Sequence, residues 1–385
     1  MGERGGGHSR GVRVSAGVSR FLLVNLTFLR PGAVGGTERY ATDLLRSLAQ
    51  ADDLEGWNLT LAVGSGFVDA YPDLATAFPV REMPAGLAFA GRAGRLVAER
   101  TWLRLLARGY DAVHHLGGIA PNCRPPTTVT IYDVQYVTHP EFFSGLKRRF
   151  LRRAVPRSVG GADSVCVMSV FVADQLVDLF GVTRDRIHVV PPALTPRGEM
   201  GDVGLPGQIR SPFVLYPAVT WPHKNHRVLL DALGDQRLAG VQLVLTGAQG
   251  PAHAEFLEAV HAAGLGQRVK HLGRVDDEVL DVLYRRALAL VFPSLHEGFG
   301  QPVVEAMQRG CPVVVARSGA LPEVVGDAGV LIAPLDPIAW ADAIDSLMQD
   351  DIRDPQRDLG LTRSQMWSAE RTAAAQFAAY RHLCC

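Results

Sequence analysis

Two glutamates, Glu297 and Glu305, lie eight residues apart in a segment whose pattern suggests ligand chemistry. The apolar run 288–292 before them predicts a buried strand, and Pro302 stands where a helix would begin. A strand-to-helix turn of this kind lies at the carboxyl edge of a parallel sheet, where α/β folds bind ligands. The glycines on both sides of Phe299 let the backbone approach a ligand, and the free N–H groups of a helix start attract an anion. Taken singly, each glutamate is more often a solvated or capping group.

Lys224 is a third residue that could do chemistry. It follows a second predicted strand, 213–216, within the string Pro-His-Lys-Asn-His, and stands near the start of a predicted helix. An ammonium group beside the backbone donors of a helix start can hold a diphosphate. A lone lysine at such a place is usually a solvated charge, because lysine is seldom buried. We expect Lys224 to face the two glutamates across a crevice, which predicts a site for a phosphorylated ligand.

Predicted strands and helices alternate along the chain, which favours parallel sheets with right-handed crossovers. A segment rich in proline and glycine, 191–212, is typical of a linker between two such series. We therefore predict an α/β fold of two doubly wound, Rossmann-like parallel-sheet domains. Helices are predicted from Thr37, over 87–108 and over 170–180, and the other strands at 21–26, 59–63, 112–115, 127–132, 164–169, 187–190, 241–246, 269–271 and 312–315.

Composition excludes several classes of protein. With 47% apolar residues, 20% charged residues and zero net charge, the chain is globular and shows no sign of binding nucleic acid. Its five cysteines contain no C-x-x-C pair, which predicts a reducing compartment without disulfides or a zinc site. No run approaches the roughly 18 apolar residues of a membrane-spanning helix. Residues 1–19 are rich in Gly, Ser and Arg, and we predict a disordered lead rather than a signal peptide.

Two strings resemble a known family. His-Glu-Gly-Phe-Gly-Gln-Pro-Val-Val-Glu-Ala, beginning at residue 296, and Pro-His-Lys-Asn-His, beginning at residue 222, are similar to motifs of the retaining, nucleotide-sugar-dependent glycosyltransferases of family 4. The resemblance extends over roughly residues 20–383. It implies the GT-B architecture, in which two Rossmann-like domains face each other across a cleft.

The resemblance implies a role for each matching residue. Glu297 would bind the donor sugar, Glu305 the ribose hydroxyls and Lys224 the leaving diphosphate. Asp133 matches the aspartate of a His-Asp pair near the reacting sugar, although Tyr132 here replaces the histidine. The further donor-binding positions that it implies are Gly36, Gly247, Val275, Gly298, Phe299 and Gly300.

Two departures from the family pattern leave questions open. His114, His115 or His139 could compensate for the missing histidine, although each is more typical of a structural or exposed side chain. The arginine that often precedes the family's lysine is absent at 218–220. Stabilisation of the diphosphate would then rest on Lys224 or on a group elsewhere.

The resemblance also divides the chain. Residues 20–195 would form an acceptor-binding N-terminal domain, and residues 196–362 a domain that binds the nucleotide sugar. A final helix, 363–383, would cross back onto the first domain.

Two basic stretches of the first half have no role in this site. Five arginines, Arg92, Arg95, Arg100, Arg104 and Arg108, share the predicted helix 87–108, and six cations lie between 147 and 157 without an acidic residue. Such runs are usually solvated helix faces. The alternative is a surface that attracts anionic lipid headgroups or a lipid-diphosphate acceptor.

We therefore expect a retaining hexosyltransferase of cell-surface glycan or glycolipid assembly. Its donor would be GDP-mannose or a UDP-sugar and its acceptor a glycan or a lipid-linked compound, with no metal or other cofactor. We expect it in the cytoplasm, with peripheral contact on the inner face of the membrane. The alternatives are a GT-B sugar-nucleotide epimerase, an inverting glycosyltransferase and a non-catalytic nucleotide-sugar-binding subunit.

Overall fold

The computed structural model describes residues 19–32, 35–51, 53–88, 91–194 and 203–383. The predicted lead, apart from Ser19, lies outside these ranges, as do residues 195–202 of the predicted linker and the terminal Cys384 and Cys385. The described residues form two lobes, each built on a parallel sheet. Among the described helices, none is both long and apolar enough to cross a membrane.

The first lobe contains a parallel sheet that has seven strands within the described ranges, in the order β3-β2-β1-β4-β5-β6-β7. Its inner strand β1 is buried from Leu22 to Leu26, as a strand covered on both faces should be, although the polar Asn25 lies within this mainly apolar run. The strands are β1 (Arg20–Leu26), β2 (Trp57–Val63), β3 (Val80–Glu82), β4 (Ala112–His115), β5 (Thr127–Ile131), β6 (Ser164–Val167) and β7 (Ile187–Val189).

The second lobe repeats this plan with six described strands in the order β10-β9-β8-β11-β12-β13. The strand order reverses beside β8 here and beside β1 in the first lobe, and open α/β sheets form a crevice at the carboxyl edge of such a reversal. The strands are β8 (Phe213–Pro217), β9 (Gln242–Thr246), β10 (Val269–His271), β11 (Ala289–Phe292), β12 (Val313–Ala316) and β13 (Val330–Ile332).

Helices connect the strands and cover the sheets. In the first lobe they are α1 (Gly36–Ala49), α2 (Phe67–Ala70), α3 (Pro72–Ala77), α4 (Ala85–Ala88), α5 (Gly91–Ala98), α6 (Arg104–Leu106), α7 (Gln135–Thr138), α8 (Gly145–Gly161) and α9 (Val170–Phe180). In the second lobe and the C-terminal segment they are α10 (His226–Leu233), α11 (His253–Ala262), α12 (Asp277–Arg286), α13 (Gln301–Gln308), α14 (Leu321–Val325), α15 (Pro337–Ser346), α16 (Asp350–Ser364) and α17 (Ala369–His382).

The predicted fold class is confirmed, and three local expectations are corrected. Strands β3 and β13 were not predicted, because each is a three-residue edge strand without a fully buried apolar run. The helix predicted over 87–108 is interrupted: a π-helical turn, Glu99–Leu103, separates α5 from α6. Helix α1 begins at Gly36, not after a Thr37 cap, because Gly35 at φ 69° turns the chain into the helix without a side-chain cap.

The chain returns to the first lobe at its C-terminal end. Helix α16 packs on α13 of the second lobe, whereas α17 packs on α1, β6 and β7 of the first. Tyr380 of α17 is fully buried in the first core, and Trp367, just before α17, is buried in the second. This crossing brings both carboxyl sheet edges to one cleft.

Candidate active site between the two lobes

The loop that carries Glu297 joins β11 to α13, as the sequence predicts. Pro302 is the second residue of α13, and Gly310, at φ 63°, lies just beyond the end of the helix. The loop is held from behind, because the backbone N–H of Ala320 donates to the Glu297 carbonyl oxygen at 2.9 Å. A Cβ at Gly319 would overlap with that same Glu297 backbone, so the close packing requires glycine.

Lys224 and Glu297 form an ion pair, with 2.5 Å between Lys224 Nζ and Glu297 Oε1. They were expected to face each other across a crevice, and this expectation is wrong. The turn Pro222–Lys224 follows β8 and the Glu297 loop follows β11, and these strands are neighbours in the sheet, so their loops lie side by side. The ammonium group also lies 5.1 Å from the centroid of the Phe292 ring.

The ion pair fixes the charge of Glu297. Burial alone would raise the pKa of this carboxyl, but the attraction of Lys224 and hydrogen bonds from Lys224 and Ser294 hold it below the usual value of a glutamate. Glu297 is therefore an anion at neutral pH, and its second oxygen can accept hydrogen bonds from hydroxyl groups. Lys224 is fixed through its backbone, whose carbonyl oxygen accepts from the Tyr216 hydroxyl at 2.7 Å.

Glu305 is buried and has partners from both lobes. Its Oε2 accepts from the Tyr284 hydroxyl at 3.0 Å, and its Oε1 is ion-paired with Arg39 of α1. Arg39 is a site residue that the sequence analysis missed. Its only sequence signal is its position on the helix predicted from Thr37. The partner that reveals its role, Glu305, lies more than 260 residues away in the chain.

Gly36 and the start of α13 are far apart in the sequence but lie close together in the structure. A Cβ at Gly36 would lie 3.5 Å from Gln301 Oε1, so the first residues of α1 and α13 meet across the cleft. Both helix starts carry backbone N–H groups and the positive end of a helix dipole. Their meeting point suits an anion that touches both lobes.

Gly298 allows the close approach of the lobes, whereas Gly300 allows close packing within the second lobe, where a Cβ would overlap with the Leu321 side chain. A Cβ at Gly298 would overlap with the carbonyl oxygen of Tyr132 in the first lobe, and the Gly298 carbonyl oxygen accepts from the Ser169 hydroxyl at 2.8 Å. Gly300 precedes α13 at φ 102°. The Phe299 side chain is buried against Trp367, 6.0 Å between ring centroids, so only its backbone can serve a ligand.

Gly247 and Val275 lie at the same sheet edge. The Gly247 N–H donates to the Gly273 carbonyl oxygen at 2.7 Å, which ties together the loops after β9 and β10. Val275 is half-buried in the second of these loops, and the adjacent Arg274 donates to the Gly32 carbonyl oxygen of the first lobe at 2.5 Å. Gly32 of the first lobe therefore lies beside the loop that carries Val275.

Glu38, two residues after Gly36 on α1, bonds within the first lobe. Its Oε1 accepts from the Gly32 N–H at 2.8 Å and from the Tyr71 hydroxyl. These bonds connect α1 to the backbone at Gly32 and to Tyr71 before α3.

The first lobe provides Asp133, two residues after the end of β5. Its Oδ1 accepts from the Gln135 N–H at 3.0 Å, and the residue is exposed at the cleft beside Gly298. Tyr132 does not take the place of the family's histidine, because its hydroxyl donates to the Leu116 carbonyl oxygen at 2.7 Å. The phenol is thus committed to the interior of the lobe.

Of the three histidines proposed to compensate, two are interior. His114 is fully buried and bonded to Tyr380 and Thr130, and burial lowers the pKa of both His114 and His115 to about 3. His139 instead reaches the interface between the lobes, where its ring centroid lies 5.3 Å from that of His296.

His296, which precedes Glu297, is the second site residue that sequence reasoning missed. Its side chain is buried, its Nε2 has no hydrogen-bond partner within the described residues, and its ring contacts Phe171 of the first lobe. Burial lowers its pKa against the attraction of Asp133. A neutral imidazole with an unsatisfied nitrogen at this interface is available to a ligand hydroxyl.

A further contact closes the lobes. Glu323 of α14 accepts from the backbone N–H groups of Val170 and Phe171 at 2.9 and 3.0 Å. These are free donors at the start of α9, where a carboxylate is favoured. Within the described residues, no three His, Cys, Asp or Glu side chains are grouped so as to hold a metal ion.

Two families match this chain. The one described as "Glycosyl transferases group 1" matches residues 208–360, and the one described as "Glycosyltransferase Family 4" matches residues 34–196. The O-antigen chain mannosyltransferase B of Escherichia coli is 30% identical over 372 residues, which cover 90% of this chain and 96% of that protein. A D-inositol 3-phosphate glycosyltransferase of Xylanimonas cellulosilytica is 34% identical over 241 residues, 58% of this chain and 57% of that one.

Solved structures share the fold. Sucrose-phosphate synthase from Thermosynechococcus elongatus aligns with a TM-score of 0.74 at 21% identity, over 94% of this chain and 99% of that one. Anabaena HepE in complex with UDP-glucose aligns with a TM-score of 0.70 at 21% identity, over 93% and 99% of the two chains. At these identities the likeness concerns the architecture.

Proposed function

The chain belongs to the group 1 glycosyltransferases of family 4, and from this premise we propose that it moves a hexose from a nucleotide diphosphate sugar to a hydroxyl acceptor with retention of anomeric configuration. The observation that carries the proposal is the Lys224–Glu297 ion pair, placed where the lobes meet. A fixed ammonium group and a carboxylate held in its anionic form are what a leaving diphosphate and a sugar hydroxyl require.

In the proposed mechanism the donor is held by charge and by hydroxyl recognition. Lys224 and the meeting helix starts of α1 and α13 stabilise the negative charge that develops on the leaving diphosphate, which is often the largest catalytic effect. Glu297 accepts hydrogen bonds from the donor sugar, and Glu305 exchanges part of its contact with Arg39 for ribose hydroxyls. Gly247 and the backbone around Val275 take the base.

The acceptor hydroxyl attacks from the face that the diphosphate leaves. A diphosphate oxygen takes the acceptor's proton, so neither glutamate serves as nucleophile or general base. Asp133, with His296 and His139, lies on the acceptor side of the interface and orients the reacting hydroxyls. Closure of the lobes through Glu323 and Gly298 excludes water from the reaction.

For the donor we propose GDP-mannose in the first place, because the relative similar over nearly its whole length is named a mannosyltransferase. A UDP-sugar is the second candidate. For the acceptor we propose a glycan or a lipid-linked compound of cell-surface glycan assembly. The protein would meet this acceptor in the cytoplasm, where its first lobe makes peripheral contact with an anionic membrane. We propose no metal, since Lys224 and the helix starts supply the positive charge; transfer should then persist in excess EDTA.

The test is a thermal-shift panel of nucleotide sugars, followed by NMR of the product. A true donor well above its dissociation constant should stabilise the folded protein by about 3 kcal/mol. Transfer of the sugar with its anomeric configuration retained is the expected product. Inversion at the anomeric carbon, release of an epimerised sugar without acceptor, or donor binding without turnover would each contradict the proposal in a different way.

A further inference from the structure

The first lobe contains a groove that the proposed reaction does not use. It has a volume of about 860 Å³ and lies between the helical segment 91–109 and α8. Parallel neighbours such as β4 and β5 are normally joined by a crossover helix. Here residues 116–126, all of them described, cross without any helix, and part of this coil (119–123) lines the groove. Part of the groove wall is therefore coil where a helix is usual.

Two rows of arginine face each other along this groove. Arg149 and Arg153 are four residues apart on α8, and Arg157 follows after four more, which places all three on one side of the helix. Arg100 and Arg104 line the opposite wall. Within the described residues, none of these five guanidinium groups takes part in an ion pair, and all five residues are exposed.

The acidic residue in the lining does not neutralise these charges. Glu99, in the π-helical turn, is buried and accepts from the Thr27 hydroxyl at 2.9 Å, while Arg95, outside the groove lining, lies 3.7 Å away. Five cations and one engaged carboxylate give the groove a strongly positive field, which attracts an anion.

The same groove also has an apolar side. Leu96, Ile119 and Pro121 line it, and at the other wall Leu146 and Phe150 of α8 are 83% and 38% exposed. A purely ionic ligand would leave these side chains in water. Apolar surface next to clustered guanidinium groups matches a molecule that has an anionic head and a hydrocarbon chain.

We propose that this groove binds an anionic amphiphile, with its phosphate or diphosphate between the two arginine rows and its chain along Leu146 and Phe150. Arginine suits this task, because its planar guanidinium group binds phosphate oxygens in pairs. The inference deepens the proposed function and rests on it in one respect, since a lipid-linked acceptor would present this chemistry. The groove would then tether the acceptor's lipid end, while its sugar end reaches the cleft.

The test uses the full chain and farnesyl diphosphate, a water-soluble probe with the proposed chemistry, in isothermal titration calorimetry. The variant Arg149→Gln/Arg153→Gln removes two cations of the groove. The matched control, Arg148→Gln/Arg152→Gln, removes the same charge from the same helix at residues that do not line the groove. We expect at least about tenfold weaker binding in the first variant and less than about twofold in the second. Binding should persist in Lys224→Met, which excludes the donor site.

Further arms separate the sources of binding. Inorganic diphosphate should bind at least about tenfold more weakly than the farnesyl compound, and vesicles of phosphatidylcholine with phosphatidylglycerol should bind the wild type more than the groove variant. Equal losses in the two double variants would overturn the proposal in favour of a diffuse field. Equal affinity for inorganic diphosphate would reduce the groove to an anion site, which also overturns it. Transfer to a soluble acceptor should be unchanged in the groove variant, so failure here leaves the transferase proposal standing.

Discussion

The two lobes follow the same parallel-sheet plan, but they place their charged groups differently. In the second lobe Lys224, Glu297 and Glu305 are largely buried at the carboxyl edge of the sheet, and each has a defined partner. In the first lobe the polar residues of that edge are either interior, as His114 is, or exposed to the cleft, as Asp133 is. Buried, paired charges are held in one geometry, whereas exposed groups are screened and mobile. The second lobe therefore has the preorganised half of the site.

If this contrast is correct, the largest effect should come from the ion pair of the second lobe. Glu297→Gln and Lys224→Met, as well as the alanine variants, should each lower kcat/KM by about 10²- to 10³-fold, the size expected for loss of a preorganised electrostatic contact. Initial rates with a soluble acceptor measure this, and circular dichroism checks the fold. Near-full turnover in either variant would remove Glu297 or Lys224 from the site.

A cation of the first lobe should matter less. Arg39→Met removes the contact of α1 with Glu305, and we expect kcat to fall about tenfold with a smaller change in donor Kd, because the contact joins the lobes during closure. Arg46→Met, on the same helix but paired with Asp73 inside the first lobe, is the control. An equal effect in both variants would mean that α1 is merely destabilised.

The pH dependence of donor binding sharpens the comparison. Because the folded pKa of Glu297 is lowered, its ionised form adds to stability above the unfolded pKa of about 4.3, and this gain is lost as pH falls through the lowered folded pKa. Glu297 should thus remain ionised in the wild type from about pH 5 to 8, and its titration should not change the donor Kd in this range. In Lys224→Met the effect of burial on the pKa of Glu297 is opposed mainly by the hydrogen bond from Ser294, so the acid limb should move to higher pH. Calorimetric measurement of the donor Kd at several pH values would show this shift. An acid limb that does not move would mean that Lys224 does not control the ionisation of Glu297.

The smallest effects should come from the tyrosine in the histidine's place. Tyr132→Phe removes only the bond to the Leu116 carbonyl, so transfer should change by less than twofold while unfolding costs about 1 kcal/mol less. His296→Asn should lower transfer several-fold more than this, since its Nε2 lies at the interface. Kinetics and thermal denaturation of the two variants test this ranking. A larger loss of transfer in Tyr132→Phe than in His296→Asn would place Tyr132, rather than His296, in the catalytic site.

The sequence alone determined the fold class and the elements that carry Glu297 and Glu305. Apolar runs, glycines and Pro302 gave β11, the Glu297 loop and α13 because local propensities and burial periods agree there. The short edge strands β3 and β13 were not predicted, because three partly exposed residues do not form a buried apolar run. The roles assigned to the site residues stay predictions until the variants are measured.

Only the tertiary structure decided which groups meet. From the sequence we expected a crevice between Lys224 and Glu297, but the two residues are in contact because β8 and β11 are neighbours in the sheet. Arg39, His296 and the arginine groove depend on pairings between segments far apart in the chain. Sequence periodicity reports which face of an element is buried, whereas strand order and lobe closure set what that face touches.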